Sequence, residues 1–490
     1  MRISSNSFRM KNQFVLGICL LLSFGACQEK VAPPEAVTPV PGEYQLQWHE
    51  LEQYAFIHFT VNTFTDKEWG YGDESPSIFN PTAFDAQQWA STAKEAGLKG
   101  IILTCKHHDG FCLWPSRYTE HSVKNSPFRD GKGDVVKEVS DACRKYGLFF
   151  GVYLSPWDRN HAQYASPEYI DYYRNQLTEL LSNYGEIAEV WFDGANGGDG
   201  YYGGARETRR IDNRTYYDWP NTHALVRKLA PKAMMFSDAG PDIRWCGNER
   251  GYAGATNWNM ISVDTLYPGK SGITALLNTG SEDGTSWLPA EVDVSIRPGW
   301  FYHETQDEKV RTPDNLFQLY LESVGRGANL LLNLPPDKRG LIHENDATSL
   351  REWKKMMDVA FSDNLAVDGK VSADTFRGKS RLYAPSRVTD GNKDTYWATD
   401  DGVKTGTLEI DLGKTRKVSY LVVQEYIRLG QRVKSFVVEV WNGNDWVNVA
   451  SGTTIGHKRI LPLGDVETSK IRIRITDAKA CLLLSNVELY

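Results

Sequence analysis

Short apolar runs alternate with longer amphipathic stretches between about residue 46 and residue 360. Continuous apolar runs predict buried strands, whereas apolar residues at a spacing of three or four predict helices. The predicted strands are 54–61, 100–105, 148–155, 188–194, 233–240 and 329–336, and the predicted helices are 86–97, 134–147, 166–185, 222–231 and 315–327.

Repeated strand–helix units predict an α/β fold whose parallel sheet is covered by helices on both faces. The number of units and the span favour a (β/α)8 barrel, over residues 46–361, rather than a doubly wound sheet. No glycine-rich phosphate-binding motif follows the first strand, which also disfavours a dinucleotide-binding fold. The segment 240–300 is irregular, and its pattern does not place strands six and seven of the barrel.

The pattern changes at about residue 362, where helical periodicity stops. Short strands separated by turn signals then predict an antiparallel β-sandwich over residues 362–490. The predicted strands are 408–413, 418–426, 435–441, 446–451, 470–477 and 481–490.

The N-terminus has the pattern of an export signal. Basic residues precede the apolar run "FVLGICLLLSFGA", and Cys27 follows at once. This order predicts a signal peptide over residues 1–27, and its end resembles a bacterial lipobox, so Cys27 would carry a lipid and 28–45 would be a tether. The expectation is a protein secreted across the inner membrane of a Gram-negative bacterium, as a periplasmic or cell-surface lipoprotein that meets the membrane only through this anchor. The alternative is an ordinary cleaved signal with an incidental cysteine.

Composition narrows the possible partners. The net charge of -7 is spread without long runs, which disfavours a nucleic-acid partner. The chain holds 15 Trp and 24 Tyr, which suit stacking on sugar faces, although core packing alone also uses such residues. The five cysteines beyond the signal are scattered and predict neither disulfides nor a metal knuckle, and we interpret them as small buried residues. The oligomeric state stays open.

Candidate chemistry lies where the strands of a (β/α)8 barrel end, because active sites occupy that rim. Strand four runs "VWF" into Asp193 and then into glycines, so the carboxylate faces the barrel mouth. Asp193 could instead cap a helix, but no helix is predicted to begin there. The other strand ends and their loops deliver His58, Glu68, Trp69, His107, His108, Tyr153 and Trp191.

Two carboxylates flanking a sugar fit this rim best. A metal site is disfavoured because His58 stands alone, while His107 and His108 are neighbours that point opposite ways on an extended chain. No GxSxG motif marks a serine nucleophile. Glu249, in "IRWCGNERG", is the best second carboxylate, and the other candidates are Asp238, Asp242 and Glu291.

The motifs "FIHFTVNTF", "EWGYG", "KHHDGFCLWPS", "GVYLSPWD" and "VWFDGA" together resemble glycoside hydrolase family 29, the α-L-fucosidases. The resemblance implies a retaining exo-enzyme with Asp193 as nucleophile and no cofactor. It also implies that the rim residues named above line a fucose pocket. The segments "RWCGNERG" and "VDVSIRPGWFYH" resemble the branch specific for α-1,3/1,4-linked fucose. That likeness implies Glu249 as acid/base, with Trp300 and Arg297 in contact with sugar.

The C-terminal segments "RVTDGNKDTYWAT" and "LEIDLG" resemble the discoidin-like domain of coagulation factors 5 and 8. Such domains often hold a structural calcium, for which the resemblance offers Asp390 and Asn392 as candidates. The domain could bind sugar or could simply brace the barrel.

The expected function is removal of α-1,3/1,4-linked fucose from Lewis-type glycans through a covalent fucosyl-enzyme. A non-catalytic glycan-binding lipoprotein is one alternative. A retaining glycosidase for another sugar, such as galactose, is another.

Overall fold

The computed structural model describes residues 31–490, so the predicted signal segment with Cys27 lies outside the described residues. Eight parallel strands close into a barrel in the order β1-β8-β7-β6-β5-β4-β3-β2, which confirms the predicted fold class. These strands are β1 (Gln53–Ile57), β2 (Gly100–Lys106), β3 (Phe149–Leu154), β4 (Glu189–Trp191), β5 (Met234–Ser237), β6 (Ile243–Trp245), β7 (Ala290–Ser295) and β8 (Asn329–Asn333).

Helices surround the barrel except between β5 and β6. The five described residues between these strands form a tight turn instead of a crossover helix. The strands that the sequence pattern did not place are therefore β6, which has three residues, and β7. The helices are α1 (Glu43–His49), α2 (Val61–Thr65), α3 (Ala86–Glu95), α4 (Val135–Tyr146), α5 (Glu168–Asn183), α6 (Trp219–Leu229), α7 (Thr274–Thr279), α8 (Pro313–Glu322) and α9 (Glu344–Ala360).

The barrel interior is filled by large side chains rather than left open. Phe56, Tyr153, Trp191 and Phe236 pack together in it. At the opposite end from the strands' carboxyl termini, α1 covers the barrel, and the Trp48 indole N–H donates to the Tyr54 hydroxyl at 2.9 Å. This packed layer closes the barrel interior, so the cavity at the carboxyl ends of the strands lies above it.

The C-terminal domain is an antiparallel sheet of seven strands in the order β10-β15-β11-β14-β12-β13, with β9 paired to β11. The first half of the long strand β11 pairs with β9, and its second half pairs with β15, so one strand serves two parts of the sheet. The strands are β9 (Lys370–Ala373), β10 (Trp397–Ala398), β11 (Gly406–Glu425), β12 (Val433–Trp441), β13 (Trp446–Gly452), β14 (Arg459–Ala478) and β15 (Leu483–Leu489).

The C-terminal domain packs against the irregular segment that follows β6. Gln431 accepts a hydrogen bond from the Asn259 backbone at 2.8 Å and donates to the Asn257 carbonyl at 3.0 Å. Arg244, buried in β6, also donates to the Asn257 side chain at 3.0 Å. These contacts fix the far end of the loop that begins just after β6.

The later part of the predicted tether is folded. The Val37 N–H donates to the Leu429 carbonyl at 2.9 Å, and α1 already begins at Glu43. The five cysteines among the described residues are buried and free, which agrees with their interpretation as small buried residues. Among the helices of residues 31–490, none has the length and apolar character needed to cross a membrane.

Candidate active site

A cavity of about 330 Å³ opens at the carboxyl ends of the barrel strands. It brings together ten of the eleven predicted site residues, and Arg297 is the exception. The lining residues are Phe56, His58, Glu68, Trp69, His107, His108, Tyr153, Trp191, Asp193, Gly194, Ala195, Asp238, Trp245, Glu249, Asp293 and Trp300.

Asp193 lies two residues beyond the end of β4 and is held by two donors. The Tyr153 hydroxyl donates to Oδ2 at 3.0 Å and the Ala195 backbone N–H donates to Oδ1 at 2.6 Å. Burial raises the pKa of Asp193, while these two hydrogen bonds lower it by stabilising the carboxylate. No helix begins here among the described residues, so Asp193 is not a helix cap. Gly194 is needed because an added Cβ would lie 2.3 Å from the Asp238 carboxyl.

The tautomers of two pocket histidines follow from their partners. The Ser155 hydroxyl donates its hydrogen to the Trp157 carbonyl at 2.6 Å, so His108 must donate from Nδ1 to Ser155, at 2.7 Å. His58 Nδ1 likewise faces Oδ1 of the Asn333 side chain at 2.8 Å. Burial lowers the pKa of each histidine to about 3. Both rings are therefore neutral, and each leaves Nε2 as a hydrogen-bond acceptor.

The expectation that His107 and His108 point opposite ways is wrong. Their ring centres lie 4.1 Å apart, and both rings line the cavity. The reason is that β2 ends at Lys106, and a turn follows in which the Gly110 N–H donates to the His107 carbonyl at 3.0 Å. Burial and the neighbouring His108 lower the pKa of His107 well below its ordinary value.

Glu249 lies on the loop after β6, and its carboxyl end reaches the cavity. The Trp300 indole N–H donates to Glu249 Oε2 at 3.2 Å. Partial burial of the carboxyl raises the pKa of Glu249 despite this hydrogen bond, and the negative charges of Asp193 and Glu68 raise it further. Glu249 therefore keeps a proton to higher pH than an ordinary glutamate does.

Glu68 is held by a residue that the sequence did not single out. It accepts hydrogen bonds from the backbone N–H groups of Trp300 at 2.8 Å and Phe301 at 3.3 Å. His303 lies between two carboxylates, with Nε2 2.6 Å from Glu68 and Nδ1 2.6 Å from Asp66. Both ring nitrogens must carry hydrogen to satisfy these acceptors, so His303 is an imidazolium. Burial opposes the charge, but the two hydrogen bonds prevail and raise the pKa of His303.

The other candidate second carboxylates lie in different places. Asp242 pairs with Arg227 outside the cavity, and Glu291 is buried below it. Asp238 does line the cavity, and it accepts a hydrogen bond from the Gly269 N–H at 2.7 Å. Burial raises the pKa of Asp238 to about 6.

Asp293 and Trp245 are lining residues that sequence reasoning missed. Asp293 lies on β7, within the alternating run "AEVDVS", and the Trp245 indole N–H donates to it at 2.7 Å. The alternation itself was a usable signal, because polar residues at every second position of a buried barrel strand must face the interior.

The structure does not place Arg297 in the cavity. Its guanidinium is buried, donates to Asp346 from Nε at 2.9 Å and to Asp307 from Nη1 at 2.7 Å, and stacks over the Tyr302 ring. A charge buried this deeply needs paired acceptors, and both are supplied from behind the Trp300 segment.

The two calcium candidates form a turn. Asp390 accepts hydrogen bonds from the Asn392 N–H at 3.0 Å and from the Thr395 hydroxyl at 2.7 Å. Donors rather than other oxygens face this carboxylate, which fits a turn better than a calcium ligand. Across residues 31–490, no group of three or more His, Cys, Asp or Glu side chains is arranged to hold a metal ion.

Comparison with known proteins agrees with this geometry. A family model for α-L-fucosidases matches residues 35–360, and one for the F5/8 type C domain matches residues 370–485. The chain is 42% identical over 463 residues to alpha-L-fucosidase 1 of Arabidopsis thaliana, across 93% of this chain and 88% of the relative.

Solved structures give the same answer. A glycoside hydrolase 29 family member from an unknown rumen bacterium aligns with a TM-score of 0.84 and 45% identity, over 94% of this chain and 78% of that one. A Ruminococcus gnavus GH29 fucosidase in complex with fucose aligns with a TM-score of 0.84 and 34% identity, over 94% and 96% of the two chains. The chain therefore belongs to glycoside hydrolase family 29 and is an α-L-fucosidase that also carries an F5/8 type C domain.

Proposed function

We propose that the enzyme is a retaining exo-α-L-fucosidase that acts by double displacement, with Asp193 as nucleophile and Glu249 as acid/base. The observation that carries this proposal is that one cavity holds two carboxyls in contrasting surroundings. Asp193 is fixed by two hydrogen-bond donors, whereas Glu249 has one donor and two neighbouring negative charges. Such a pair separates the two roles, because one group stays ionised while the other keeps a proton.

In the first step Asp193 attacks the anomeric carbon of fucose. The Tyr153 hydroxyl and the Ala195 N–H orient both carboxylate oxygens and favour the ionised form against burial, which raises the pKa of Asp193. The bond that forms joins an Asp193 oxygen to the anomeric carbon, and the bond to the leaving oxygen breaks. A retaining enzyme needs its two carboxyls about 5–5.5 Å apart for this step.

Glu249 gives its proton to the leaving oxygen as that bond breaks. In the second step the ionised Glu249 takes a proton from water, which attacks the anomeric carbon and releases Asp193. The raised pKa of Glu249 supports the first role, and the Trp300 N–H, which stabilises the ionised form, supports the second.

The shape of the cavity supports recognition of a single terminal sugar. Its floor is an apolar surface where Tyr153 stacks on Trp191, with ring centres 5.4 Å apart, and Phe56 lies against Trp191 at 5.1 Å. This floor suits the methyl group and apolar face of fucose. The Nε2 atoms of His58 and His108 are acceptors for its hydroxyl hydrogens.

Two measurements test the mechanism. A 2-fluoro-fucosyl donor that traps the intermediate should label Asp193, as mass spectrometry of the digested enzyme would show. NMR of the first-formed fucose should show retained anomeric configuration. A label on another residue, or an inverted product, would contradict the mechanism.

We also propose α-1,3/1,4-linked fucose of Lewis-type glycans as the substrate. The support is the resemblance of "RWCGNERG" and "VDVSIRPGWFYH" to that branch, together with the Glu249–Trp300 contact that joins these two segments. Fucose release from a Lewis trisaccharide should exceed release from an α-1,2-fucosylated disaccharide by at least about tenfold. Equal or reversed rates would contradict the assignment.

The location at the cell envelope is a separate proposal, which depends on the lipobox-like end of the signal segment. Metabolic labelling with a fatty acid in a Gram-negative host should mark the full-length chain and leave Cys27→Ser unlabelled. No labelling of either chain would indicate an ordinary cleaved signal, and labelling of Cys27→Ser would show that the lipid is attached elsewhere.

A further inference from the structure

Strand β7 carries two acids that hold two tryptophans. Glu291 and Asp293 are two residues apart, so both face the barrel interior. The Trp191 indole N–H donates to Glu291 at 2.8 Å, and the Trp245 indole N–H donates to Asp293 at 2.7 Å. Both tryptophans line the cavity, so each acid fixes the orientation of one cavity ring.

The two acids differ in what remains available on each. Glu291 is fully buried, and its second oxygen is engaged by the Tyr54 hydroxyl. Asp293 is 4% exposed and lines the cavity itself. Within residues 31–490, Trp245 is the one other residue that donates to the Asp293 side chain. One oxygen of Asp293 is therefore left without a partner from another residue, at the edge of the sugar-binding space.

We propose that Asp293 is a substrate-contacting residue that donates a hydrogen bond from its carboxyl group to a hydroxyl oxygen of the sugar held in the cavity. This inference rests on the proposed function, whereas its test with deoxy analogues reads the contact to Asp293 directly.

The surroundings of Asp293 keep it protonated, as a donor must be. Burial raises its pKa well above the ordinary value, and Glu249 raises it further whenever that group is ionised. Because Oδ1 accepts the Trp245 N–H, the proton is placed on Oδ2, the oxygen that is free to turn toward the ligand. Neutral His58 and His108 offer acceptors to the sugar, so a neutral acid adds the donor that sugar oxygens also require.

The test compares three variants of the whole enzyme on an aryl fucoside and on its 2-, 3- and 4-deoxy analogues. Asp293→Asn keeps the shape, the acceptor for Trp245 and a donor toward the cavity, so its kcat/KM should exceed that of Asp293→Ala by about tenfold or more. Asp293→Ala leaves sugar and Trp245 without a partner and should lower kcat/KM by about 10- to 100-fold. Trp245→Phe removes the indole N–H and leaves the Asp293 carboxyl in place. It therefore measures how much kcat/KM depends on the hydrogen bond that orients the ring at position 245.

A deoxy analogue identifies the contact. For the analogue that lacks the contacted hydroxyl, Asp293→Ala should cost much less than it does for the parent fucoside, whereas Trp245→Phe should cost the same for both. If Asp293→Ala costs the same on every analogue, the residue only supports the fold of the site and the proposal is overturned.

The pH profile of Asp293→Asn gives a second readout, which stands even if the alanine variant does not fold. A neutral donor predicts an unchanged profile. If Asp293 were ionised, its replacement would remove a negative charge beside Glu249 and move the basic limb to lower pH, which would also overturn the proposal. Fucose release by wild type in the same assay separates failure of this inference from failure of the enzyme assignment.

Discussion

The two halves of the cavity wall are built in different ways. Strands β1 to β4 deliver His58 and Asp193 directly beyond their ends, and buried partners such as Asn333 and Tyr153 fix these side chains. The half formed by β5 to β8 carries Glu249 on an irregular loop that is secured from outside by the C-terminal domain. A carboxyl fixed on a strand suits attack at one carbon, whereas a carboxyl on a loop suits proton exchange with differing leaving groups and with water.

The electrostatics of the two halves follow the same division. Asp193 receives hydrogen bonds on both oxygens, which stabilise its charge against burial. Among the described residues, Glu249 accepts a hydrogen bond from the Trp300 N–H alone, and like charges act on it from Asp193 and Glu68. Burial raises the pKa of both carboxyls, but two donors stabilise the ionised form of Asp193 and one donor stabilises that of Glu249, which supports the proposed division of roles.

Replacing Asp193 should have the largest effect. Asp193→Ala should lower kcat on an aryl fucoside by roughly 1,000-fold or more, because no covalent intermediate can form. The rate is measured with enzyme whose folding is checked by circular dichroism. Asp238→Asn is the matched control, since Asp238 lines the same cavity but is not placed as nucleophile, and it should lose at most about tenfold. A fully active Asp193→Ala would contradict the proposal that the nucleophile lies in the half formed by β1 to β4.

Removing Glu249 should come next and should depend on the leaving group. Glu249→Ala should lower kcat/KM for a Lewis trisaccharide by about 100- to 10,000-fold, because a sugar leaves poorly without a proton. An aryl fucoside with an acidic phenol should lose far less in its first step. Added azide should accelerate turnover, because this anion attacks the fucosyl-enzyme in place of water and needs no general base. The comparison of the two substrates is the measurement.

The conservative variant Glu249→Gln tests the same group by pH. Wild type should lose activity on the basic side as Glu249, with its raised pKa, gives up its proton, and Glu249→Gln should lack that limb. If both enzymes share the same basic limb, another group supplies the proton.

The halves also differ in how far the sequence predicted them. Strands that are followed by helices gave recognisable apolar runs, so residues at their ends, such as His58 and Asp193, could be named from position alone. On the other side, β6 has three residues and follows β5 after a short turn, so no helix–strand alternation marks it. Trp300 was named there only through resemblance to the family, and Glu249 was the first of four candidate carboxylates that the pattern alone offered.

Contacts between distant segments set the limit on what the pattern could predict. His303 meets Glu68 across 235 positions in the chain, and nothing in the local spacing of either residue indicates the pair. Arg297 shows the opposite case, because it sits in a family-like segment, yet its partners Asp307 and Asp346 hold it away from the cavity. The sequence identified the segment that borders the cavity, but it could not show which side chains of that segment face the ligand.

A smaller effect should come from His303, which connects the two halves. His303→Ala should lower kcat/KM by about tenfold, because Glu68 loses a charged donor and the segment that presents Trp300 loosens. Glu304→Ala is the matched control, as its side chain is exposed beside the same segment, and it should behave as wild type.

The hydrogen bonds from His303 to Asp66 and Glu68 form a bridge that should weaken as pH rises. The pKa of His303 is raised by its hydrogen bonds to Asp66 and Glu68, so the bridge is complete below the ordinary histidine pKa and is lost as pH rises through the raised value. The difference between wild type and His303→Ala should therefore narrow as pH rises. A constant difference would show that His303 acts by packing alone.

Replacing Arg297 should have the smallest effect on catalysis. This variant tests whether the Arg297 side chain lies outside the cavity. Arg297→Lys keeps the charge but cannot pair with Asp307 and Asp346 in the same geometry, so thermal unfolding should show a loss of about 1–2 kcal/mol in stability. Because the guanidinium lies outside the cavity, KM for an aryl fucoside should stay within about twofold of wild type. A large rise in KM with unchanged stability would contradict this placement. It would show that Arg297 contacts the sugar and belongs to the half of the wall formed by β5 to β8.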